Sequence, residues 1–210
     1  MKYKYLIFDF DGVLAESNEI RFDGFRLLFE GYPEEKVKRL LEYAIANGGM
    51  PRYDKIKYFF ENIMKEAVSE EKVMLFADRY SKLVKTRVVN AQPVKGSLEF
   101  LSEYRDRFKF AIVSGSDQEE LRDVCRQRGI KDYFVEILGS PENKERNIAM
   151  LLADKGWKKS MCIFIGDSIN DLNAAKANGV YFIARNSNIV DWKSLEVVFI
   201  EDISQLYLHL

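Results

Sequence analysis

Histidine and cysteine are nearly absent from this 210-residue chain, which has one of the first (His209) and two of the second (Cys125 and Cys162). A single histidine excludes Ser-His-Asp and Cys-His catalysis, His-Glu-x-x-His metal sites and mixed Cys/His zinc sites. Carboxylates are left to do any acid–base work. His209 reads as a frayed terminal residue rather than a ligand. The cysteines are far apart, and Cys162 lies in the apolar run Met161 to Ile165, so two buried thiols are expected rather than a disulfide. An excess of one charge sign is also missing. Thirty-two basic residues against 33 acidic ones provide no broad positive field for a nucleic-acid backbone. Long apolar runs are absent as well: Leu6-Ile7-Phe8 ends at Asp9, and no stretch approaches a secretory core or a membrane span. The expectation is a cytoplasmic protein with neither nucleic acid nor membrane as partner. No coiled-coil seam, internal repeat or low-complexity segment is present, which leaves the oligomeric state open.

What the chain does have is apolar residues, 47% of the total, enough for one good core or a core with a small satellite. Short β-like runs recur at Tyr5 to Phe8, Phe110 to Val113, Phe134 to Leu138, Met161 to Ile165 and Val180 to Ile183. The last four alternate with helical patterns, which predicts an α/β fold built on a parallel sheet with helices on both faces. About a hundred residues separate the first two runs, too many for one crossover. The intervening segment reads as helical: Val37, Leu40, Leu41, Ala44 and Ile45 share one face; Ile56, Phe59, Phe60, Ile63, Met64 and Ala67 repeat it; and Val73, Phe76, Tyr80, Leu83 and Val84 follow Ser69. These aromatic stripes are read as core packing. The predicted division is a sheet domain of residues 1–15 and 91–210, with an all-helical domain of residues 16–90 inserted after the first strand.

Open parallel sheets bind ligands beyond the carboxyl ends of their strands, and there the sequence converges chemically. Asp9 and Asp11 follow the first strand, in Asp-x-Asp-Gly. Ser114-Gly115 follows the second, with Ser116 to Glu119 opening a helix in a capping-box pattern. Gly139-Ser140-Pro141 follows the third, with Ser140 as expected helix cap, Pro141 at the first helical position and Lys144 one turn in. Gly166-Asp167-Ser168-Ile169-Asn170-Asp171 follows the fourth. Carboxylates gathered at one edge repel each other unless a cation sits among them, and all-oxygen ligation points to Mg²⁺. A hydroxyl at Ser114, N–H groups around Gly115 and the charge of Lys144 suit the spread negative charge of a transferring phosphoryl group.

These four segments resemble the motifs of the haloacid dehalogenase superfamily of phosphatases and phosphomutases, and the helical insertion resembles that superfamily's mobile cap. The resemblance implies a Rossmann-like core and a Mg²⁺-dependent phosphomonoesterase acting on a small phosphorylated metabolite, a sugar phosphate or a phosphoglycolate-like acid. It makes Asp9 the nucleophile, Asp11 the general acid–base residue, Ser114 and Gly115 phosphate-binding and Lys144 the charge-balancing lysine. Asp167 becomes a direct metal ligand, Asp171 one that acts behind it or through water, and the Asp9 carboxylate and Asp11 backbone carbonyl complete the protein side of the Mg²⁺ shell. Glu16 stands where the family often has Asp. In such caps a loop between helices sets specificity, here Asn47 to Asp54, where Arg52 is the candidate for an anion or a sugar hydroxyl; capping of the preceding helix, or pairing with Asp54, is the competing role. A phosphomutase would use the same residues. A non-catalytic binding or signalling module on this scaffold would be expected to have lost Asp9, Asp11 or Lys144, and none is lost.

Overall fold

The computed structural model describes residues 2–210. Among these, six strands form one parallel sheet: β1 (Tyr5–Phe8), β2 (Lys109–Asp117), β3 (Phe134–Ser140), β4 (Cys162–Gly166), β5 (Tyr181–Arg185) and β6 (Phe199–Ile200), in the order β3-β2-β1-β4-β5-β6. β1 is apolar throughout because both its faces are covered. Leu6 and Phe8 join a core cluster with Phe100, Leu101, Leu121 and Val124, contributed by α5 (Ser97–Tyr104) and α6 (Gln118–Gln127). Ile7 faces the other way, clustering with Ile148, Leu151, Leu172 and Ala175 of α7 (Lys144–Lys155) and α8 (Ile169–Asn178). Phe8 is in register with Ile112 on one side and Ile165 on the other. Strand order therefore reverses at β1, and the crevice that this opens lies just beyond Phe8.

Between β1 and β2 stand α1 (Asn18–Leu28), α2 (Glu34–Ala46), α3 (Arg52–Tyr58) with a π-helical continuation over Phe59–Met64, and α4 (Glu70–Val89). Ser69 caps α4, accepting from the Lys72 N–H at 3.3 Å. The aromatic stripes meet as packing: Phe29 lies 4.0 Å from Phe59 and 5.4 Å from Phe76 between ring centroids, and Phe60 lies 5.1 Å from Phe76. The chain enters and leaves this insertion side by side. Glu16 N–H donates to the Gln92 carbonyl at 2.9 Å, and Val94 N–H donates to the Leu14 carbonyl at 3.2 Å.

Several expected boundaries move. The helical pattern extended to Ala67 stops at Met64, because Lys65 turns into the left-handed region at φ 63°. β2 and β3 run on through Asp117 and Ser140. Consequently Ser140 ends a strand instead of capping a helix; Asn143 is the cap of α7, accepting from the Arg146 N–H at 2.8 Å, and Lys144 is the first helical residue. Asp117 displaces Ser116 as cap of α6, accepting from the Glu120 N–H at 2.9 Å. His209 ends a short 3₁₀ helix, Ile203–His209, and is partly buried rather than frayed. Cys125 and Cys162 are free and buried, as expected. Among the described residues, no helix is long and apolar enough to cross a membrane.

Candidate active site

Asp9 continues the β1 ladder by donating its N–H to the Ile165 carbonyl at 2.8 Å. Its carboxylate is therefore fixed by the sheet, and it is 3% exposed. Oδ1 accepts from the Phe10 N–H at 2.7 Å and Oδ2 from Lys144 Nζ at 2.8 Å. The same ammonium reaches Asp171 Oδ1 at 2.5 Å. Asp171 Oδ2 accepts from the Ser168 N–H at 3.0 Å and Ser168 Oγ at 2.6 Å, a reciprocal capping box at the start of α8. Asp167 Oδ2 accepts from Asn18 Nδ2 at 2.6 Å. Asp9, Asp167 and Asp171, all buried, each offer a carboxylate oxygen within 4.8 Å of the others.

Three buried carboxylates against one ammonium leave this edge short of positive charge. Burial pushes Asp9 up to about 8, with Lys144 opposing and Asp171 and Asp167 adding to the rise. Burial and Asp171 together lift Asp167 to about 6. Lys144 is raised despite its burial, by Asp171 and Asp9. A hard divalent cation with oxygen ligands fits this donor set. Ser114, 2% exposed, accepts from the Ser116 N–H at 3.2 Å and lines the same cavity together with Gly115. Gly12 makes the turn after Asp11 at φ 73°, where a Cβ would run into the Asp167 carboxylate and Asn18.

The Asp11 carboxylate lies outside this cluster. Oδ1 accepts from Ser17 Oγ at 2.5 Å and Arg21 Nε at 2.9 Å, and Oδ2 from Ser116 Oγ at 2.7 Å. Burial raises its pKa, but the Arg21 guanidinium and the two hydroxyls outweigh that and hold it below the usual carboxylate range. Any metal contact from Asp11 thus rests on its backbone carbonyl. These contacts also account for two helix starts. Ser17 stands at the cap of α1 with its hydroxyl turned to Asp11 instead of the helix N–H groups, and Ser116 likewise yields its capping role to Asp117.

Arg52, 5% exposed, neither caps α2 nor pairs with Asp54. Its Nη1 donates to Ser81 Oγ at 2.5 Å and to Glu120 Oε2 at 2.8 Å, and its guanidinium lies 5.0 Å from the Tyr80 ring centroid. Glu120 Oε1 in turn accepts from Arg21 Nη1 at 2.7 Å. Burial raises the Glu120 pKa, and the two arginines reverse this and draw it down to about 2. The insertion meets the sheet edge elsewhere too: Asn170 Nδ2 donates to the Gly48 carbonyl at 2.5 Å, and Tyr53 OH to Asp117 Oδ2 at 2.8 Å. Arg52, Arg21 and Lys55 line the cavity that also reaches Asp9, Asp11, Ser114 and Asp167.

Arg21, Lys55 and Glu120 did not stand out in the sequence, although a signal for them exists. Each charge sits on a buried helical stripe: Arg21 with Gly24 and Phe25, Lys55 with Arg52 and Ile56, Glu120 with Leu121 and Val124. A charge on an apolar face needs a partner or a ligand. Ser17, Asn18 and Ser116 carry no comparable signal.

Phosphoglycolate phosphatases are among the proteins similar to this chain. The Vibrio vulnificus enzyme is 36% identical over 91 residues, spanning 41% of this chain and 39% of that one. The Vibrio parahaemolyticus enzyme is 27% identical over 186 residues, spanning 84% and 80%. In fold, the chain superimposes on the Bacillus subtilis HAD-hydrolase YfnB, solved with bound magnesium, with a TM-score of 0.71 at 19% identity, covering 100% of this chain and 99% of that one. Residues 6–185 match the family model described as haloacid dehalogenase-like hydrolase, and with the site's geometry this makes the chain a member of that family.

Proposed function

We propose that this chain is a Mg²⁺-dependent phosphomonoesterase that forms a phosphoaspartate on Asp9 and acts on a small phosphorylated metabolite. The observation that carries this is the Asp9 carboxylate, fixed at the end of β1, 2.8 Å from Lys144 and grouped with Asp167 and Asp171. In the first step an Asp9 oxygen bonds to phosphorus as the ester P–O bond breaks, and Asp11 gives its proton to the departing alkoxide. In the second, water attacks phosphorus, its proton passes to Asp11, and the aspartyl P–O bond breaks. Asp11 is an anion in the present arrangement, the state the second step needs; the first needs a proton delivered to it. Ser114, the Gly115 region and Lys144 would hold the phosphoryl oxygens.

Asp9, Asp167 and the Asp11 carbonyl would hold Mg²⁺, with Asp171 acting through water, since both its oxygens already accept from Lys144 and Ser168. The ion, when bound, offsets charge between the nucleophile and the phosphoryl group. The division into a core of residues 1–15 and 91–210 and a cap of residues 16–90 is part of this proposal. It is supported by the adjacent entry and exit at Glu16 and Gln92. Arg52, buried in the cavity wall, is proposed to face the part of the substrate that is not transferred.

Hydrolysis of a chromogenic aryl phosphate, assayed with Mg²⁺, with EDTA and with Asp9→Asn, tests the mechanism. Turnover should be lost in both altered conditions. Activity indifferent to both would sink it, and isomerised product without free phosphate would favour a mutase.

A further inference from the structure

The cap side of the cavity carries positive charge that the protein does not match. Glu120 is shared between Arg21 and Arg52, and Arg21 is further engaged by Asp11. Even so, Nη2 of Arg21 and Nη2 of Arg52 are both buried with no hydrogen-bond partner. Lys55, one helical turn from Arg52, is 6% exposed. Among the described residues its ammonium forms no ion pair; it lies 5.7 Å from the Phe25 ring centroid, and Asp11 and Asp54 act on it from beyond ion-pair distance. All three side chains line the same cavity as Asp9. An ammonium taken out of water without a counter-ion is costly, and so is an orphaned guanidinium N–H. Three such groups on one wall are what a site looks like when its anion comes with the ligand.

We infer that Lys55, with the free Nη2 atoms of Arg21 and Arg52, forms a second anion subsite, so that the substrate is a phosphate ester carrying another acid group, a carboxylate or a phosphate, at its far end. Glu120 acts as the positioning residue, holding both guanidinium groups from the α6 side. The electrostatics agree: burial and then the neighbouring Lys144 push the Lys55 ammonium down to about 7, a shift that an anion in the subsite would oppose. Phe25 and Tyr80 line the cavity beside these groups, and burial away from water strengthens a charge pair formed there. The inference rests on the phosphatase proposal for its reaction, not for its geometry.

The test compares matched esters in the Mg²⁺-loaded protein: phosphoglycolate against ethyl phosphate for a carboxylate, and a hexose bisphosphate against the corresponding monophosphate for a second phosphate. The diacid of at least one pair should be preferred in kcat/KM by about tenfold to a hundredfold, the worth of one or two charged hydrogen bonds. The pair that shows the preference identifies the acid. Lys55→Met should remove most of that ratio, chiefly through KM, and Lys55→Arg should restore a large part of it. No preference in either pair, or a Lys55→Met change that lowers both members equally, would overturn the subsite. Titration calorimetry of the same pairs on Asp9→Asn protein separates the two readings. If no ester is hydrolysed yet the diacid still binds more tightly, the phosphatase proposal alone fails. If esters are hydrolysed without discrimination, the subsite alone fails.

Discussion

Arg21 Nε donates to Asp11 Oδ1 at 2.9 Å, so a guanidinium from the helical insertion holds the proposed acid–base carboxylate as an anion. Whatever moves the insertion relative to the sheet changes the proton affinity of Asp11. Under the proposed mechanism, the position of the insertion and proton transfer would be coupled through this contact and that of Ser17.

Asp11→Asn should separate the two chemical steps. An aryl phosphate with a good leaving group needs little help from an acid in the first step, whereas breakdown of the phosphoaspartate still needs a base. Rapid-quench kinetics should show a burst of aryl alcohol equal to the enzyme concentration, followed by turnover slowed by about 10²–10⁴-fold. Slow release without a burst would mean that Asp11 is not the base of the second step.

Glu120 should shape the acid limb of the stability profile. Its ordinary value is 4.5 and its value in the fold about 2, so between these pH values the unfolded chain binds the extra proton and stability rises with pH. The contribution is complete above pH 4.5 and is lost as the pH falls through 2. In urea titrations, Glu120→Gln should flatten this part of the curve and cost about 3 kcal/mol at neutral pH, because it leaves the buried Arg52 without a carboxylate and Arg21 with Asp11 alone.

Substitution of Lys55 should have the opposite sign. Its value in the fold is about 7 against an ordinary 10.5, so at or below neutral pH the buried charge opposes folding, and stability rises with pH between 7 and 10.5. In scanning calorimetry near neutral pH and without ligand, Lys55→Met should melt above the parent, with the gap closing towards pH 10.5. A lower melting temperature would show that Lys55 is a structural residue.

Gly49 lies at φ 75°, where a Cβ would stand 2.8 Å from both Lys144 Nζ and Ser168 Oγ. Gly49→Ala combines backbone strain with a clash against the ammonium paired to Asp9. A strain of about 1 kcal/mol at the contact of Gly49 with Lys144 predicts a loss in kcat/KM of about fivefold or more, measured on the aryl phosphate.

Much of this was legible in the chain because it is local. Leu6-Ile7-Phe8 had to be a doubly covered strand, and Asp9 had to lie at its carboxyl end. The long gap before Phe110 required an insertion, and Ser69 marked the start of α4. The strand alternation alone places Asp9, Ser114 and Asp167 at one edge of the sheet. The partners of Asp11 were not legible, because Ser17 and Arg21 at the start of α1 meet Ser116 of β2 only in the tertiary fold. Arg52 was found as a candidate, but its pairing with Glu120 spans 68 positions and belongs to tertiary packing. Helix starts failed where a hydroxyl was drawn to the site, as at Ser116.

The paired crossing at Glu16 and Gln92 has one further consequence. Because the two chain segments are already hydrogen-bonded neighbours, everything between them could be exchanged for a tight turn or an unrelated module without altering the order of the sheet. The order of the strands is therefore independent of what fills the insertion, whereas the setting of Asp11 is not, because Ser17 and Arg21 lie within it.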